Sequence, residues 1–375
     1  MLMLGACAQS PQKELDALCR EYFPAGEPGA AVLVLRGDEL IFDKGYGVAD
    51  MEKGTLIDGD TFFNIASVSK QFTAFAVLQL AQRGLISLDD EVRTYFPEFT
   101  SPIWEGICIK HLLSHSSGIP DARSGYTREQ RVNGDEVLAT EYMKTLDHLN
   151  FAPGTNYEYI NPTFVLLGYL VERVTGEEFT KHVTDSIFRP AGMNETLYFD
   201  RDHQDLIPRM AHGYEYEDVT DMPEERTATE GSDKPKNWYE YDFGEETFFA
   251  TRPDGGIYTS THEFVKWEKA LRACYAGDAE ALLSKGLIED AHSPHTLVAG
   301  SSFSDYQNRP DTWYGYGWFI EDAAEKIIYH TGDNGGFKIL AARYPATETL
   351  VLVFANRADW DRYALMKSIE NILAN

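Results

Sequence analysis

The end of the chain constrains the fold most strongly, because four predicted strands follow one another there with very short connections. Runs of apolar residues predict these strands at 315–320, 326–330, 337–343 and 349–356. The stretches 332–336 and 344–347 predict turns. Consecutive strands joined in this way pair antiparallel, since a parallel pair needs a long crossover connection. A helix predicted over 359–373 is well placed to cover one face of this sheet.

The rest of the chain begins with a predicted helix over 11–22 and a hairpin, and then becomes mostly helical. A buried strand over 29–35 and a partner strand over 40–46 form the predicted hairpin. From residue 85 to about 196 the pattern is helical and interrupted by turns. The acidic and aromatic stretch 213–249 has two interpretations, a surface excursion or the wall of a ligand pocket.

Composition limits the classes of partner. A length of 375 residues, with 43% hydrophobic and 13% aromatic residues, indicates a folded globular protein with a large core. The formal net charge of -27, from 60 acidic and 33 basic residues, argues against nucleic acid or an anionic membrane surface as a partner. The four cysteines are widely spaced without a zinc-binding pattern, so we expect unpaired thiols.

The first residues carry a signal of export. The stretch 4–7 (LGAC) resembles the end of a bacterial lipoprotein signal, in which Cys7 would carry the lipid after cleavage. The charged n-region and the full apolar h-region of such a signal are missing. We interpret residues 1–10 as its remnant and expect a periplasmic protein or one tethered to the membrane through lipidated Cys7. An ordinary N-terminus and a cytoplasmic location stay open as the alternative.

The stretch 64–70 (NIASVSK) is the first candidate for chemistry. A helix is predicted over 71–83, so Ser67 and Lys70, three residues apart, would lie on the same side of its first turn. An ammonium group beside a hydroxyl lowers the cost of deprotonating the serine, and a helix N-terminus favours the developing negative charge. The alternative is that Ser67 or Ser69 caps the helix and that Lys70 is a solvated lysine.

A second short motif lies before another predicted helix, at 162–174. Tyr159 and Asn161 are one residue apart, which presents a phenol and an amide side by side. The structural alternative is strong for Asn161, because asparagine before proline is ordinary at a helix N-cap.

A third motif, His330-Thr331-Gly332, ends a predicted strand. A substrate backbone could pair along such a strand edge, or the chain could simply turn at Gly332. The pair at 255–256 (GG) has the same two interpretations, a close approach of backbone or a turn.

A metal site is the competing interpretation for two histidines. His111 and His115 are four residues apart, a spacing that can place two ligands on one helix face. The sequence offers no third ligand nearby and no HExxH motif, so structural histidines are favoured. We predict no metal and no other cofactor.

In the order SxxK, YxN and HTG, these motifs resemble the serine β-lactamase and penicillin-binding-protein superfamily. YxN in place of SDN is the pattern of class C β-lactamases and DD-peptidases. Further stretches resemble the supporting segments of the family, at 111–118 (HLLSHSSG), 151–154 (FAPG), 255–260 (GGIYTS) and 335–337 (GGF). The resemblance extends over roughly residues 29–356, nearly the whole chain.

The resemblance implies an α+β fold of the β-lactamase/transpeptidase type, an antiparallel sheet flanked by helices with an inserted, mainly helical domain. The sheet domain is expected at 11–65 and 250–375, and the helical domain at 66–249. The strands and helices predicted above agree with this arrangement.

The resemblance also implies a mechanism. Ser67 attacks a carbonyl and becomes acylated, and Lys70 and Tyr159 share the proton transfers, with the choice of general base left open. Asn161 is expected to hydrogen-bond Lys70 and a substrate amide. The oxyanion would lie between the backbone N–H groups of Ser67 and Asp333, and water would then release the acyl group.

His330, Thr331, Gly332 and Asp333 are expected to bind the substrate, and His330 departs from the lysine of the KTG motif. A lysine there presents a permanent charge to a substrate carboxylate, whereas histidine is mostly neutral at pH 7. HTG is typical of some DD-peptidases, D-amino-acid peptidases and esterases, which puts lactam hydrolysis in doubt. Asp333 would repel an anionic substrate if its carboxylate faced the pocket and would do little if it faced solvent.

The predicted function is therefore hydrolysis of a small-molecule or peptide substrate, with a peptide, amide or ester bond, through an acyl-enzyme on Ser67. One alternative is a class C-like β-lactamase. Another is a penicillin-binding or sensor protein that becomes acylated without turnover. The sequence does not specify the oligomeric state.

Overall fold

The computed structural model of the protein describes residues 10–121, 127, 130, 135–199, 209–216, 238–240, 251–298, 312–321 and 326–374. Its strands are β1 (Ala30–Arg36), β2 (Glu39–Tyr46), β3 (Val48–Asp50), β4 (Thr55–Leu56), β5 (Phe63–Asn64), β6 (Leu197–Tyr198), β7 (Tyr214–Tyr216), β8 (Trp238–Glu240), β9 (Ile257–Thr259), β10 (Thr296–Leu297), β11 (Thr312–Tyr314), β12 (Phe319–Glu321), β13 (Ile327–Asn334), β14 (Phe337–Tyr344) and β15 (Thr349–Ala355).

The helices described are α1 (Pro11–Tyr22), α2 (Lys70–Gln82), α3 (Val92–Tyr95), α4 (Ile109–Leu113), α5 (Glu136–Lys144), α6 (Asn161–Thr175), α7 (Phe179–Val183), α8 (Arg252–Gly255), α9 (Thr261–Ala276), α10 (Lys285–Ala291) and α11 (Arg362–Ala374). No helix among the described residues combines the length and the apolar character that crossing a membrane requires.

The largest sheet has eight strands in the order β10-β11-β12-β13-β14-β15-β1-β2, and every neighbouring pair is antiparallel. The N-terminal hairpin joins the C-terminal strands directly, with Ala30 opposite Ala355 and Arg36 opposite Thr349. This confirms the prediction of an antiparallel sheet built from both ends of the chain.

Both faces of this sheet are buried, which explains why β15 is a continuous apolar run rather than an alternating one. One face packs against a core that includes α2 and α9, where the rings of Phe354 and Phe264 lie 5.6 Å apart. The other face packs against α1 and α11 through residues such as Cys19 and Leu365. The terminal helix therefore covers one face of the sheet, as the sequence predicted.

The motif His330-Thr331-Gly332 lies within its strand and does not end it. β13 continues through Asn334, and the turn consists only of Gly335 and Gly336, at φ +47° and +78°. Two central residues with positive φ match the twist of a hairpin, and glycine adopts this conformation without strain. The predicted turn over 332–336 was therefore too long, and Gly332 lies within the strand.

The strand predicted over 315–320 is also shorter in the structure, because only its end is extended, in β12. Gly317 has φ +89°, and a Cβ atom there would lie 2.8 Å from Ala74 Cβ and 3.0 Å from the carbonyl oxygen of Lys70. The chain bends at this glycine in order to pack against α2.

Between residue 66 and residue 199, the described elements are mainly helices. Two small sheets are separate from the eight-stranded sheet, one formed by β5, β9 and β6 and the other by β3 and β4. The division into a sheet domain and an inserted helical domain stays a prediction. Within the stretch 213–249, only 213–216 and 238–240 are described, and β7 pairs with β8 there. Cys7 lies outside the described residues.

Candidate active site

Ser67 lies on a tight turn that leads into α2. The 3₁₀ turn Ala66–Ser69 follows β5 directly, and Lys70 is the first residue of the α-helix. Ala66 has φ +46°, an uncommon conformation for a residue with a Cβ atom. Ser67 is partly exposed, whereas Ala66 and Val68 on either side of it are buried. The turn therefore presents one hydroxyl at the protein surface from an otherwise buried segment.

Lys70 is fully buried, and hydrogen bonds direct its ammonium group. Nζ donates to Ser67 Oγ at 3.1 Å and to the backbone carbonyl of Asp254 at 2.7 Å. Asp254 belongs to α8, which is held against α2 by a hydrogen bond from Thr73 Oγ1 to the Pro253 carbonyl. The carbonyl of Asp254 fixes the direction of the lysine, so that Nζ reaches the serine.

The glycine pair at 255–256 lies at the turn that ends α8. A Cβ atom at Gly256 would lie 2.8 Å from Arg252 Cα within that turn, whereas one at Gly255 would lie 3.7 Å from Ala66 C, an ordinary contact. The next strand donates from Ile257 N to Ser69 Oγ at 3.2 Å. Of the two alternatives that the sequence left, the structure therefore shows the turn. The Asp254 carbonyl itself had no signal in the sequence.

Tyr159 lies beside Lys70, with the ring centre 5.0 Å from Nζ. His115 holds this segment: its carbonyl accepts from Glu158 N at 3.0 Å, and its Nδ1 accepts from Ile160 N at 3.2 Å. The imidazole also packs on the Tyr159 ring, with ring centres 4.3 Å apart. Hydrogen bonds on both sides of Tyr159 therefore fix the backbone that carries the phenol.

Asn161 lies at the first position of α6, after Ile160, which occupies the N-cap position. Its Oδ1 is buried and has no hydrogen-bond partner among the described residues. The expected hydrogen bond from Lys70 to Asn161 is therefore absent, because Lys70 Nζ is directed at Ser67 and Asp254 instead. The N-cap alternative for Asn161 is also wrong, since the helix includes this residue.

β13 runs directly beside the segment that precedes Ser67. A Cβ atom at Gly332 would lie 2.3 Å from the carbonyl oxygen of Ile65 and 3.0 Å from Ala66 Cβ. Only glycine allows this approach without a shift of backbone. Thr331, the residue before it, is buried.

The ladder of β13 and β14 gives the direction of the Asp333 amide. Asn334 and Phe337 close the two-residue hairpin as a hydrogen-bonded pair, so the next pair, Asp333 and Lys338, directs its backbone groups away from β14. β12 has ended on that side, since its last pairing is at Tyr329. The N–H of Asp333 therefore faces the open edge of the sheet.

His330 is 1% exposed, so its ring is buried in the protein. Its Nδ1–H donates to the Thr331 carbonyl at 2.7 Å, and the hydroxyl of Tyr314 donates to its Nε2 at 2.9 Å. Burial, with a smaller contribution from the charge of Lys70, lowers the pKa of His330 to about 3. Protein groups therefore occupy both ring nitrogens, and the expected part of His330 in substrate binding stays a prediction.

The Asp333 side chain points away from Ser67. Successive residues of a strand face opposite sides, and Gly332 faces the Ser67 turn, so Asp333 faces the other side of the sheet. There its carboxylate pairs with Arg362 of α11, a buried arginine that also donates to the Gly332 carbonyl at 3.4 Å. Of the two directions considered from the sequence, the structure has the one away from the pocket.

The two spaced histidines have structural roles. His111 Nδ1 accepts from Cys108 N at 3.1 Å, and His115 is buried against Tyr159. Burial lowers the pKa of His111, and it lowers that of His115 well below its ordinary value. In the part of the chain that is described, no group of three or more histidine, cysteine, aspartate or glutamate side chains could hold a metal ion.

The assembled site can carry out nucleophilic chemistry. A partly exposed hydroxyl accepts a hydrogen bond from a buried ammonium group, a phenol lies beside that ammonium, and β13 passes the same turn. A buried ammonium stabilises an alkoxide on its neighbour more strongly than a solvated one does, because water screens it less.

Comparison with known proteins shows the family and the fold of the chain. A family model described as Beta-lactamase matches residues 16–374. Penicillin-binding protein 4* of Bacillus subtilis (strain 168) is 27% identical over 376 residues, which cover 97% of this chain and 76% of that protein. Protein flp of Staphylococcus aureus (strain MRSA252) is 27% identical over 92% of this chain, which spans 63% of its length.

Among solved structures, a penicillin-binding protein from Bacillus halodurans superposes with a TM-score of 0.74 and 25% sequence identity. The match covers 96% of this chain and 98% of that one. The antiparallel sheet with its helices is therefore the fold of this group of proteins.

Proposed function

The chain belongs to the beta-lactamase family, and on that premise we propose that it is a serine hydrolase that forms an acyl-enzyme on Ser67. The substrate we propose is a peptide, an amide or an ester. The observation that carries the proposal is the hydrogen bond of 3.1 Å from the fully buried Lys70 Nζ to Ser67 Oγ. A buried lysine directed at one partly exposed hydroxyl is a costly arrangement that a purely structural turn does not need.

In the proposed reaction, Ser67 Oγ forms a bond to the substrate carbonyl carbon. Its proton passes to Lys70, which must then start as a neutral amine, or to Tyr159, which must then start as a phenolate. The proton gained in this step is returned to the departing amine or alcohol as its bond to carbon breaks. Water then adds to the acyl carbon, and the Ser67 oxygen leaves with a proton. Which of the two residues is the general base stays open, since both lie beside the serine turn.

The negative charge on the carbonyl oxygen would be stabilised by the N–H groups of Ser67 and Asp333. Two observations support this assignment: the N–H of Asp333 faces the open edge of β13, and β13 packs closely against the Ser67 turn. Preorganised donors of this kind contribute a factor of about 10² to 10³ to the rate. We propose the substrate-binding roles of Asn161 and Thr331 on their positions beside this edge.

The state of His330 supports a peptidase, amidase or esterase rather than an efficient β-lactamase. A histidine with a pKa of about 3 is uncharged at neutral pH, so this position supplies no positive charge for a substrate carboxylate. A class C-like β-lactamase and a protein that is acylated without turnover are the alternative outcomes of the experiment below.

The test is intact-mass measurement after separate exposure to a fluorophosphonate, a penicillin and p-nitrophenyl acetate. We expect one adduct with the fluorophosphonate on the wild type and none on Ser67→Ala or Lys70→Met. Ser368→Ala, on an exposed part of α11, is the matched serine control and should react like the wild type. Absence of any adduct on the wild-type protein would contradict the proposal.

The same measurements separate the alternatives. Rapid loss of the acetyl adduct with release of nitrophenol supports hydrolysis of an ester. Rapid turnover of penicillin supports a β-lactamase, and a penicilloyl adduct that persists for hours supports a sensor or penicillin-binding role.

We also propose export through the signal-like stretch 4–7. The test is expression of the gene with its native start in a bacterium fed an alkynyl fatty acid. Labelling that is lost in Cys7→Ala but kept in Cys19→Ala, a buried cysteine, supports lipidation of Cys7. Equal labelling of the two variants, or none in the wild type, contradicts it.

A further inference from the structure

We propose that Asn64 is a positioning residue for the nucleophile, an inference that rests on the proposed function of Ser67. Asn64 ends β5 and is fully buried. Its Oδ1 accepts a hydrogen bond of 2.8 Å from the backbone N–H of Ala66 and one of 3.4 Å from Asn334 Nδ2. The amide therefore joins the Ser67 turn to the end of β13.

The first hydrogen bond supports an unfavourable backbone conformation. An asparagine side chain that binds the N–H two residues later forms an Asx turn, which substitutes for a backbone turn. Here it holds Ala66 at φ +46°, a conformation that is unfavourable for alanine because its Cβ atom comes too close to the backbone. Because Asn64 is buried, water cannot replace the acceptor that Ala66 N–H needs.

The conformation of Ala66 determines where the proposed oxyanion donor points. The N–H of Ser67 belongs to the peptide unit between Ala66 and Ser67, so rotation about the Ala66 backbone turns that N–H. A change of Ala66 to the common right-handed conformation would redirect both this N–H and the serine side chain. Asn64 thus acts on the oxyanion through Ala66 and without touching the substrate.

The second hydrogen bond connects the other half of the proposed oxyanion site. Asn334 follows Asp333 directly, and its Nδ2 reaches Asn64 Oδ1 from the end of β13. One oxygen atom therefore links the two segments whose N–H groups, from Ser67 and Asp333, would bind the oxyanion.

A residue that only fills the core would behave differently from a positioning residue. Asn64→Leu keeps the size of the side chain and removes the acceptor. Asn64→Asp keeps the acceptor. Ala66→Gly removes the Cβ atom that makes the left-handed conformation costly, so it should compensate for a lost Asx turn and should not repair a packing defect.

The experiment measures the rate constant of Ser67 acylation by a fluorophosphonate, with kcat and KM for an ester. For Asn64→Leu we expect acylation and kcat to fall roughly 10-fold to 100-fold with KM nearly unchanged, since the loss affects the transition state. Asn64→Asp should stay within about threefold of the wild type, and Ala66→Gly in the leucine background should recover about a factor of five.

Three results would overturn the inference: a leucine variant as fast as the wild type, an aspartate variant as slow as leucine, or no recovery with Ala66→Gly. If Asn64→Leu does not fold, Asn64→Ala takes its place in the same comparison. A wild-type adduct together with a normal leucine variant rejects the role of Asn64 and leaves the proposed function intact.

A crystal structure of Asn64→Leu tests the inference independently of any reaction. We expect Ala66 to leave the left-handed region in that variant. An Ala66 that keeps positive φ without the asparagine acceptor would show that packing alone holds the turn.

Discussion

The hydroxyl of Tyr314 donates a hydrogen bond of 2.9 Å to Nε2 of His330, and both residues are fully buried. Since Nε2 accepts this bond, the ring proton is on Nδ1, where it is donated to the Thr331 carbonyl. Tyr314 of β11 thus holds the His330 ring, which extends from β13, in its neutral form. Burial keeps it neutral, with a pKa of about 3.

This arrangement predicts a loss of stability in mild acid. The pKa of His330 is lower in the folded protein than in the unfolded chain, so between pH 6.5 and about 3 the unfolded chain binds the extra proton. His330 therefore favours unfolding increasingly as the pH falls through this window. When the pH falls from 7.5 to 5.0, we expect the wild-type protein to lose about 2 kcal/mol more of its free energy of unfolding than His330→Gln loses.

Urea unfolding at the two pH values measures this difference. Tyr314→Phe is the control, because it removes the hydrogen bond and leaves the histidine to titrate. It should lower stability at both pH values and keep a pH dependence that His330→Gln loses. An unchanged pH dependence in His330→Gln would contradict the prediction.

The contact between β13 and the Ser67 turn predicts that Gly332→Ala is harmful. Its Cβ atom would lie 2.3 Å from the Ile65 carbonyl oxygen, so one of the two segments must move. We expect a loss of about 2 kcal/mol in the free energy of unfolding and a large drop in the acylation rate. Thermal unfolding and fluorophosphonate labelling measure these effects.

Gly286→Ala is the matched control for this substitution. Gly286 lies in α10, and a Cβ atom there would have no neighbour within 4 Å. Alanine in a helix should leave stability unchanged or raise it by up to about 1 kcal/mol. A Gly332→Ala protein as stable and as reactive as Gly286→Ala would show that the strand can shift without consequence.

Asp333 and Arg362 form an ion pair, but we expect replacement of Asp333 to have little effect on kcat/KM and replacement of Arg362 to lower stability. The Asp333 side chain is 64% exposed and faces away from Ser67, so Asp333→Asn should change kcat/KM less than about threefold for neutral and anionic esters alike. Arg362 is 5% exposed and also donates to the Gly332 carbonyl. Arg362→Met should therefore lower the free energy of unfolding by about 2 kcal/mol.

Steady-state kinetics with a matched pair of esters, one neutral and one anionic, measure the first effect. A selective gain for the anionic ester in Asp333→Asn would mean that the carboxylate does face the pocket, against the geometry described here.

The hydrogen bonds of His115 around Tyr159 predict that kcat depends on where the replacing side chain at position 115 places its acceptor atom. In His115→Asn the side-chain oxygen can take the place of Nδ1, and asparagine tolerates the φ of +53° found there. In His115→Gln the oxygen lies farther out and the Ile160 N–H loses its acceptor. We expect the asparagine variant to keep several-fold more of kcat than the glutamine variant.

The double variants with Tyr159→Phe check that His115 acts through the tyrosine. If it does, the two substitutions at His115 should differ little in kcat once the phenol is gone. An equal difference in both backgrounds would indicate a general loss of structure instead.

Much of the architecture was accessible from local patterns. The apolar runs at the C-terminal end predicted β13, β14 and β15 to within a few residues, because burial on both faces leaves a continuous apolar signature. The short turns then allowed only antiparallel pairing. Ser67 and Lys70 were recognisable because they are three positions apart in the chain, and a single helical turn brings such residues together.

Other parts of the site had no such signature. The carbonyl that directs Lys70 belongs to Asp254, 184 residues away in the chain, and every residue carries a carbonyl. Composition therefore cannot indicate which one accepts the bond. Asn64, Tyr314 and Arg362 likewise act through partners that only packing brings near.

The antiparallel pairing of β13, β14 and β15 and the closeness of Ser67 to Lys70 thus follow from the residue pattern alone, since neighbours in the chain are neighbours in space over one helical turn or one hairpin. The burial of His330, the outward direction of Asp333 and the missing bond between Lys70 and Asn161 depended on the folded arrangement. Each is set by burial and by contacts between distant segments, and neither quantity can be read from a local stretch of sequence.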